Sequence, residues 1–204
     1  MKRISFLSAI ALFSLSVVFI SCGKDEEDQP KPANTETITI DASAYDKWVY
    51  FSFEKGTTIE ISDYKTSTEW DLGFHRFDLR VNCGTSGSGQ GGTYATGKTD
   101  YTAVTTAPES GYSLNDSISI AVDMSTIPPV METVPGDTVL ASWVIMTYGQ
   151  TGPEYTYSNE IFVVKTATAK FAKVWLKDYF NDEGKSGHVT MKYSYQPDGS
   201  TKLD

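Results

Sequence analysis

The sequence predicts an all-β protein built as one antiparallel domain. Three observations carry that expectation. Apolar and aromatic residues alternate with polar ones at a spacing of two over much of the chain, the period of a half-buried strand. No stretch of a dozen residues holds the 3.6-residue spacing of an amphipathic helix. Clusters of Gly, Asn and Asp punctuate the alternating runs where turns are needed. Of the 204 residues, about 170 follow residue 34, enough for one well-buried core.

The first 21 residues read as a sorting signal rather than as part of the fold. Lys2 and Arg3 form a short basic region, and Ile4 to Ile20 is apolar apart from scattered serines. Phe19-Ile20-Ser21-Cys22 then resembles a lipobox, in which the cysteine sulfur is acylated and becomes the first mature residue. The competing expectation is an uncleaved membrane anchor, for which the run is short and its serines are unfavourable. Residues 22–34 follow as a tether. Asp25-Glu26-Glu27-Asp28 and the prolines at 30 and 32 cannot bury apolar surface, so the segment stays solvated. Loss of Lys2 and Arg3 with the signal takes the net charge from −9 to −11. No basic patch stands out, which excludes nucleic acid as an expected partner. Cys83 is then the only free cysteine, so stability must come from the core and not from a disulfide.

The domain proper, residues 35–204, reads as strands in order. A short helical turn is possible near Ala42-Ser43-Ala44-Tyr45. Trp48 to Phe53 and Thr57 to Ile61 are aromatic and β-branched runs joined by a hairpin turn at Glu54-Lys55-Gly56. Trp70 to Val81 reads as one strand, with His75 sharing a face with Asp71, Gly73, Phe77 and Leu79. In Ile118 to Val122 large apolar residues alternate with small ones. Val139 to Tyr148 and Ile161 to Lys165 continue the pattern. At the C-terminal end a meander is expected. Phe171, Lys173, Trp175, Lys177 and Tyr179 share one face, and Ala172, Val174, Leu176 and Phe180 the other. A turn at Asn181 to Gly184 leads to the alternating Val189, Met191, Tyr193 and Tyr195.

Two glycine patterns in the middle of the chain invite a nucleotide. Gly92 to Thr99 fits G-x-x-x-x-G-K-[ST], and Gly87 to Gly92 fits G-x-G-x-x-G. Each works only when a buried strand feeds the loop and a helix follows, so that amides and the helix dipole face the phosphates. Here glycines precede the loop, and a β-like run ending in Pro108 follows it. A loop whose glycines take positive φ, or admit a close backbone, is the better expectation.

The same stretch carries a family resemblance. Trp70-Asp71, Phe74-His75-Arg76-Phe77-Asp78, Arg80-Val81-Asn82-Cys83-Gly84 and the glycine run through Gly97-Lys98-Thr99 resemble the HmuY family of haem-binding surface lipoproteins. Matches extend upstream through Ile38 to Ser43, Trp48 to Lys55 and Asp63-Tyr64-Lys65. Downstream they continue through Thr105 to Pro108, Gly111-Tyr112, Trp143, Gly152-Pro153, Tyr155 and Phe171 to Val174. The resemblance implies an HmuY-like β domain, a lipid anchor and capture of haem for uptake.

A haem needs an apolar slot and axial ligands from His, Met, Cys or Tyr. His75 lies inside a strand, where a structural role is expected, and His188 follows Gly187 in a turn, where solvent is expected. The family's best-known member uses a histidine pair, and the resemblance places those positions at Pro129 and Tyr148. Bis-histidine ligation therefore cannot carry over. The chain offers methionines instead, and related members lacking the histidines resemble it in that respect. The resemblance implies Met131 and Met146 as axial ligands of the haem iron, with Met124 and Tyr148 as substitutes and Trp143 lining an apolar pocket. Strand alternation puts Met146 and Tyr148 on one face. Methionines also fill gaps in ordinary cores, the plain alternative.

The expected function is a haem-binding, hemophore-like lipoprotein holding a non-covalent b-type haem. It would be lipid-anchored through Cys22 at the surface of the outer membrane, with release from the cell a further route. Its partners would be host haemoproteins as a source and an outer-membrane haem transporter as acceptor, with membrane contact through the lipid alone. The alternatives are a module of the same fold for another porphyrin or apolar ligand, and an adhesin or structural lipoprotein. An enzyme is not expected, because no Ser-His-Asp spacing, histidine pair or catalytic carboxylate pair rises above chance. Asp71, Asp78 and Arg80 are explained by an ion pair or a solvated face.

Overall fold

The structure, a computed structural model, describes residues 33–204. The signal, Cys22 and all but the last two tether residues lie outside the described residues. In chain order the strands are β1 (Asn34–Asp41), β2 (Val49–Ser52), β3 (Thr57–Ile59), β4 (Leu72–His75) and β5 (Asp78–Val81). β6 (Gly92–Ala95), β7 (Asp116–Asp123), β8 (Val130–Gly136), β9 (Val144–Tyr148) and β10 (Pro153–Tyr157) follow. β11 (Ile161–Lys165), β12 (Phe171–Phe180) and β13 (Ser186–Gln196) complete the chain. The all-β expectation holds, and the helical elements among the described residues are two 3-10 turns, Tyr101–Ala103 and Leu140–Trp143.

One sheet runs β1-β13-β12-β11-β6 and a second runs β3-β2-β4-β5, all antiparallel. The first contains the expected C-terminal meander, with Trp175 opposite Ile161 and Lys192 opposite Trp175. Alternation explains how it packs. Val189, Met191, Tyr193 and Tyr195 of β13 point inward with Ala172, Val174 and Leu176 of β12. They meet Phe51, Leu72, Phe74, Leu79 and Val81 from the second sheet in the main core. On the opposite face of the first sheet, Ile161 and Val163 pack with Val104, Ala107 and Leu203. β11 is thus covered on both sides, which is why its sequence is an unbroken apolar run. Outside these layers stand two isolated hairpins, β7-β8 and β9-β10.

Four sequence expectations are corrected. Trp70 to Val81 is not one strand but a hairpin. The chain reverses at Arg76, whose φ is 57°, and pairs His75 with Asp78. Val139 to Tyr148 is a strand only from Val144, because Leu140–Trp143 closes into a 3-10 turn whose leading amides at Val139 and Leu140 are held by Asp137 Oδ1. Tyr179 does not share the face of Lys173 and Trp175. Register shifts on either side of Asp178 mark an irregularity that returns Tyr179 to the main core, where it is fully buried. Such a bulge re-aims every side chain beyond it.

The fourth correction concerns the charged residues near Trp70. Arg80 is neither ion-paired nor solvated. Its guanidinium lies 3.9 Å from the Trp48 ring centroid and 4.0 Å from that of Tyr64, and it donates to the Tyr50 hydroxyl. Asp71 is buried and accepts the amides of Phe53 and Ala167, at 2.8 and 3.0 Å. The carboxylate thereby ties the two sheets together.

The glycine run is packed, not open. Buried Asn82 accepts the Gly89 amide at 2.9 Å and donates to the carbonyls of Ser67 and Trp70 at 2.8 and 2.9 Å. A Cβ on Gly89 would lie 2.6 Å from the Asn82 carbonyl oxygen and 2.9 Å from Ala167 Cα. Gly92 to Ala95 is β6, paired with β11, and the next element is the three-residue 3-10 turn Tyr101–Ala103, not an α-helix. Neither nucleotide pattern has the context it requires. Cys83 is a free, buried thiol whose pKa burial pushes up to about 11, so it stays protonated and inert.

Candidate functional site

The two outlying hairpins explain where a ligand can go. They project past the layered body, and the space they share with the β4-β5 turn is a cavity of about 310 Å³. One wall comes from β7-β8, where Ala121 stands opposite Met131 and small side chains at Ser119 and Ala121 leave the room. Met124 and Pro129 complete that wall. The other wall comes from β9-β10, where Met146 pairs with Tyr155 and Tyr148 with Pro153. Both pairs face the cavity, as alternation along β9 requires. The floor is Arg76, Phe77 and Asp78 from the β4-β5 turn, with Tyr45, Tyr179 and Ser186 beside them.

Large apolar side chains are left in water around this cavity. Met124, Met131, Met146 and Tyr148 line the cavity and are exposed, while Ile127, Val130 and Ile145 are exposed elsewhere on the same two hairpins. A clustered apolar rim of this kind marks a surface that binds something. A pocket of this size with mostly apolar walls and a few convergent polar groups suits a small flat ligand.

Of the sequence-selected residues, Met124, Met131, Met146 and Tyr148 meet at this one cavity, and so does Pro129. They come from different hairpins, so only the fold brings them together. Trp143 does not line it. Its ring is buried in the core, 5.7 Å from the Tyr157 ring and near-parallel to it. Its indole N–H donates to the Phe77 carbonyl at 2.8 Å. Trp143 therefore braces the turn that forms the floor rather than touching a ligand. Trp143 is the last residue of the 3-10 turn that precedes β9, and its ring packs into the main core.

The histidines stay out of the cavity wall. His75 is buried, and its Nε2 hydrogen-bonds the Tyr45 carbonyl at 2.8 Å, while Nδ1 sits 3.9 Å from Asp78 Oδ2. His188 lies against Asp41 at 3.5 Å, opposite it in the β1-β13 register, and is half-buried rather than free in solvent. No cluster of three or more His, Cys, Asp or Glu that could hold a metal ion occurs among the described residues. The donors on the two hairpin walls are chiefly the thioethers of Met124, Met131 and Met146 and the phenols of Tyr148 and Tyr155, with the carboxylate of Asp78 confined to the floor. Thioethers and phenols are soft or neutral ligands, and they fit the axial positions of a haem iron better than a bare hard cation.

Sequence reasoning missed the polar floor. Arg76 is 9% exposed and lines the cavity. Its guanidinium lies 4.4 Å from the Tyr45 ring centroid and 5.4 Å from that of Tyr179. It donates to the Ser43 carbonyl and the Ser186 hydroxyl, each at 2.8 Å. Asp78, the acid on the floor, is shifted above the ordinary carboxylate range by burial. Burial likewise pushes the Tyr155 and Tyr179 hydroxyls above the usual phenol range. The available signal was the Arg76-Phe77 pair between two short apolar runs, which could have been taken as a turn.

Comparison with known proteins bears on this geometry. The HmuY protein family matches residues 44–193. A protein from Bacteroides vulgatus described as an HmuY-like heme-binding protein is 29% identical, with a TM-score of 0.65. The match covers 79% of this chain and 92% of that one. An apo HmuY analog from Tannerella forsythia is 26% identical, with a TM-score of 0.64 over 83% of this chain and 100% of its own. Apo PinO, described as from Porphyromonas gingivitis, shares the fold at 21% identity and a TM-score of 0.64, over 84% of this chain and 99% of that one. No curated protein matches the chain.

Proposed function

The chain belongs to the HmuY family, and on that premise we propose that it binds a non-covalent b-type haem in the cavity between the β7-β8 and β9-β10 hairpins. The observation that carries this is the meeting of Met124, Met131, Met146 and Tyr148, from two separate hairpins, at one apolar cavity. The Bacteroides vulgatus relative described as heme-binding supports the ligand class. Met131 and Met146 would ligate the iron, one from each hairpin, with Met124 and Tyr148 as substitutes. The haem iron supplies the coordination chemistry. The chain supplies two neutral thioethers, apolar walls and a charged floor.

Neutral thioethers have physical consequences. They are soft ligands and favour ferrous over ferric iron. They also carry no proton to lose between pH 5 and 8, unlike imidazole. The chain would hold reduced haem and keep it in mild acid. We place it at the outer-membrane surface, acylated at Cys22 and tethered by residues 22–34. There it would capture haem from host haemoproteins and deliver it to an outer-membrane transporter. The test is a haem titration of the protein in ferric and dithionite-reduced states, followed at the Soret band. Saturable binding, tighter in the reduced state, is expected. Absence of any Soret shift in either state would reject haem as the ligand. Equal affinity for iron-free porphyrin would assign the cavity to an apolar ligand held without iron ligation.

A further inference from the structure

The cavity floor contains two buried donors with nothing to donate to. Arg76 Nε and the Tyr179 hydroxyl both lack a hydrogen-bond partner, and both residues line the cavity. Arg76 is more than nine-tenths buried and Tyr179 wholly so. A guanidinium has five N–H donors. The bonds of Arg76 run from Nη1 to the carbonyls of Ser43 and Ser186 and from Nη2 to the Ser186 hydroxyl. The Nε hydrogen and one on Nη2 remain, the two that a carboxylate takes side-on. No carboxylate ion-pairs with Arg76 among the described residues, and the Asp78 carboxylate is beside His75 at 3.9 Å.

Leaving a buried charged donor unmet is costly, and native proteins rarely do so without a ligand, an ion or a water to receive it. Two orphaned donors at one place both call for an acceptor. The groups around them narrow its identity. The guanidinium lies 4.4 Å from the Tyr45 ring centroid and 5.4 Å from that of Tyr179, and its bonds to Ser43 and Ser186 fix its orientation. We propose that this floor is a carboxylate subsite, in which Arg76 and the Tyr179 hydroxyl receive an acid group of the bound ligand. Taken with the haem reading above, on which the ligand's identity rests, that acid is a haem propionate. The ligand then enters with an acidic edge turned to the floor, while its apolar face meets the methionine-bearing hairpins.

The experiment compares haem with its dimethyl ester, which keeps the iron and ring but has no free carboxylate. Wild-type protein is expected to bind haem about tenfold to a hundredfold more tightly than the ester, the range for hydrogen bonds to a charged group. Tyr179→Phe removes only an unmet hydroxyl from the free protein, so folding is unchanged or improved. Affinity for haem should fall about tenfold and affinity for the ester should not change. Arg76→Gln should abolish the discrimination. Equal affinity of the wild type for haem and ester, or no effect of Tyr179→Phe, would show that water serves these donors and would overturn the subsite while leaving haem binding intact. Failure of both compounds to bind would overturn the haem reading and the propionate assignment with it.

Discussion

Replacing Met131 and Met146 by alanine, singly and together, separates iron ligation from folding because both side chains stand at the rim. Met131 is 51% exposed and Met146 37%. Full burial of a methionine contributes about 1.5–3 kcal/mol, so each loses about 1 kcal/mol of burial. The vacated space borders solvent, so no sealed void adds a further cost. A domain of this size should drop by about 2–4 °C per kcal/mol in thermal midpoint, leaving the double variant folded at room temperature. The reduced haem complex, in contrast, should lose its six-coordinate spectrum in the double variant, and each single variant should become five-coordinate or recruit Met124 or Tyr148. The assay is a paired set of visible spectra and thermal melts on the same preparations. Retention of the six-coordinate spectrum by both singles and the double would place the ligands elsewhere. Loss of spectrum accompanied by a collapse in thermal midpoint would refute the stability estimate.

Other predictions address pH and packing. Haem affinity should stay level from pH 7.5 to 5.5, since a thioether does not titrate; a steep fall near pH 6.5, measured by Soret titration, would implicate an imidazole. Burial holds the Asp71 carboxyl up at about 6, above its ordinary 3.8. The folded state therefore binds that proton more tightly than the unfolded chain. Its contribution is full below about pH 4 and disappears as pH rises through about 6, a change of about 3 kcal/mol. Denaturant unfolding of wild type and Asp71→Asn across pH 4 to 7.5 checks this, and parallel pH profiles would contradict it. Gly89→Ala should cost about 1–3 kcal/mol, because its Cβ would press on the Asn82 carbonyl and the Ala167 backbone. A neutral outcome in chemical denaturation would mean that the glycine run is an open loop after all.

The layered body was legible because it obeys one period. Burial alternates along β13 from Gly187 to Tyr193, and the expected inward residues Ala172, Val174 and Leu176 of β12 and Val189, Met191, Tyr193 and Tyr195 of β13 all lie in the main core. Legibility stops where alternation breaks. Arg76 takes positive φ and turns a supposed strand into a hairpin. The irregularity around Asp178 sends Tyr179 to the other face. The 3-10 turn at Leu140–Trp143 withdraws Trp143 into the core. Each break depends on neighbours remote in sequence, such as the Phe77 carbonyl that receives the Trp143 indole. No local pattern records them.

The sequence by itself determined the all-β class, the strand-rich core and the kind of ligand atoms available, since period and residue chemistry are local properties. It also placed methionines two residues from Pro129 and from Tyr148, at Met131 and Met146. Tertiary structure alone decided that Met124, Met131, Met146 and Tyr148 share one cavity, because two hairpins with no mutual pairing had to be set beside the same turn. It decided too that Arg76 and Tyr179 lie under them with donors unspent. The physical reason is that burial and hydrogen-bond satisfaction are sums over the whole fold. A charge left without a partner can be recognised only after every partner has been placed.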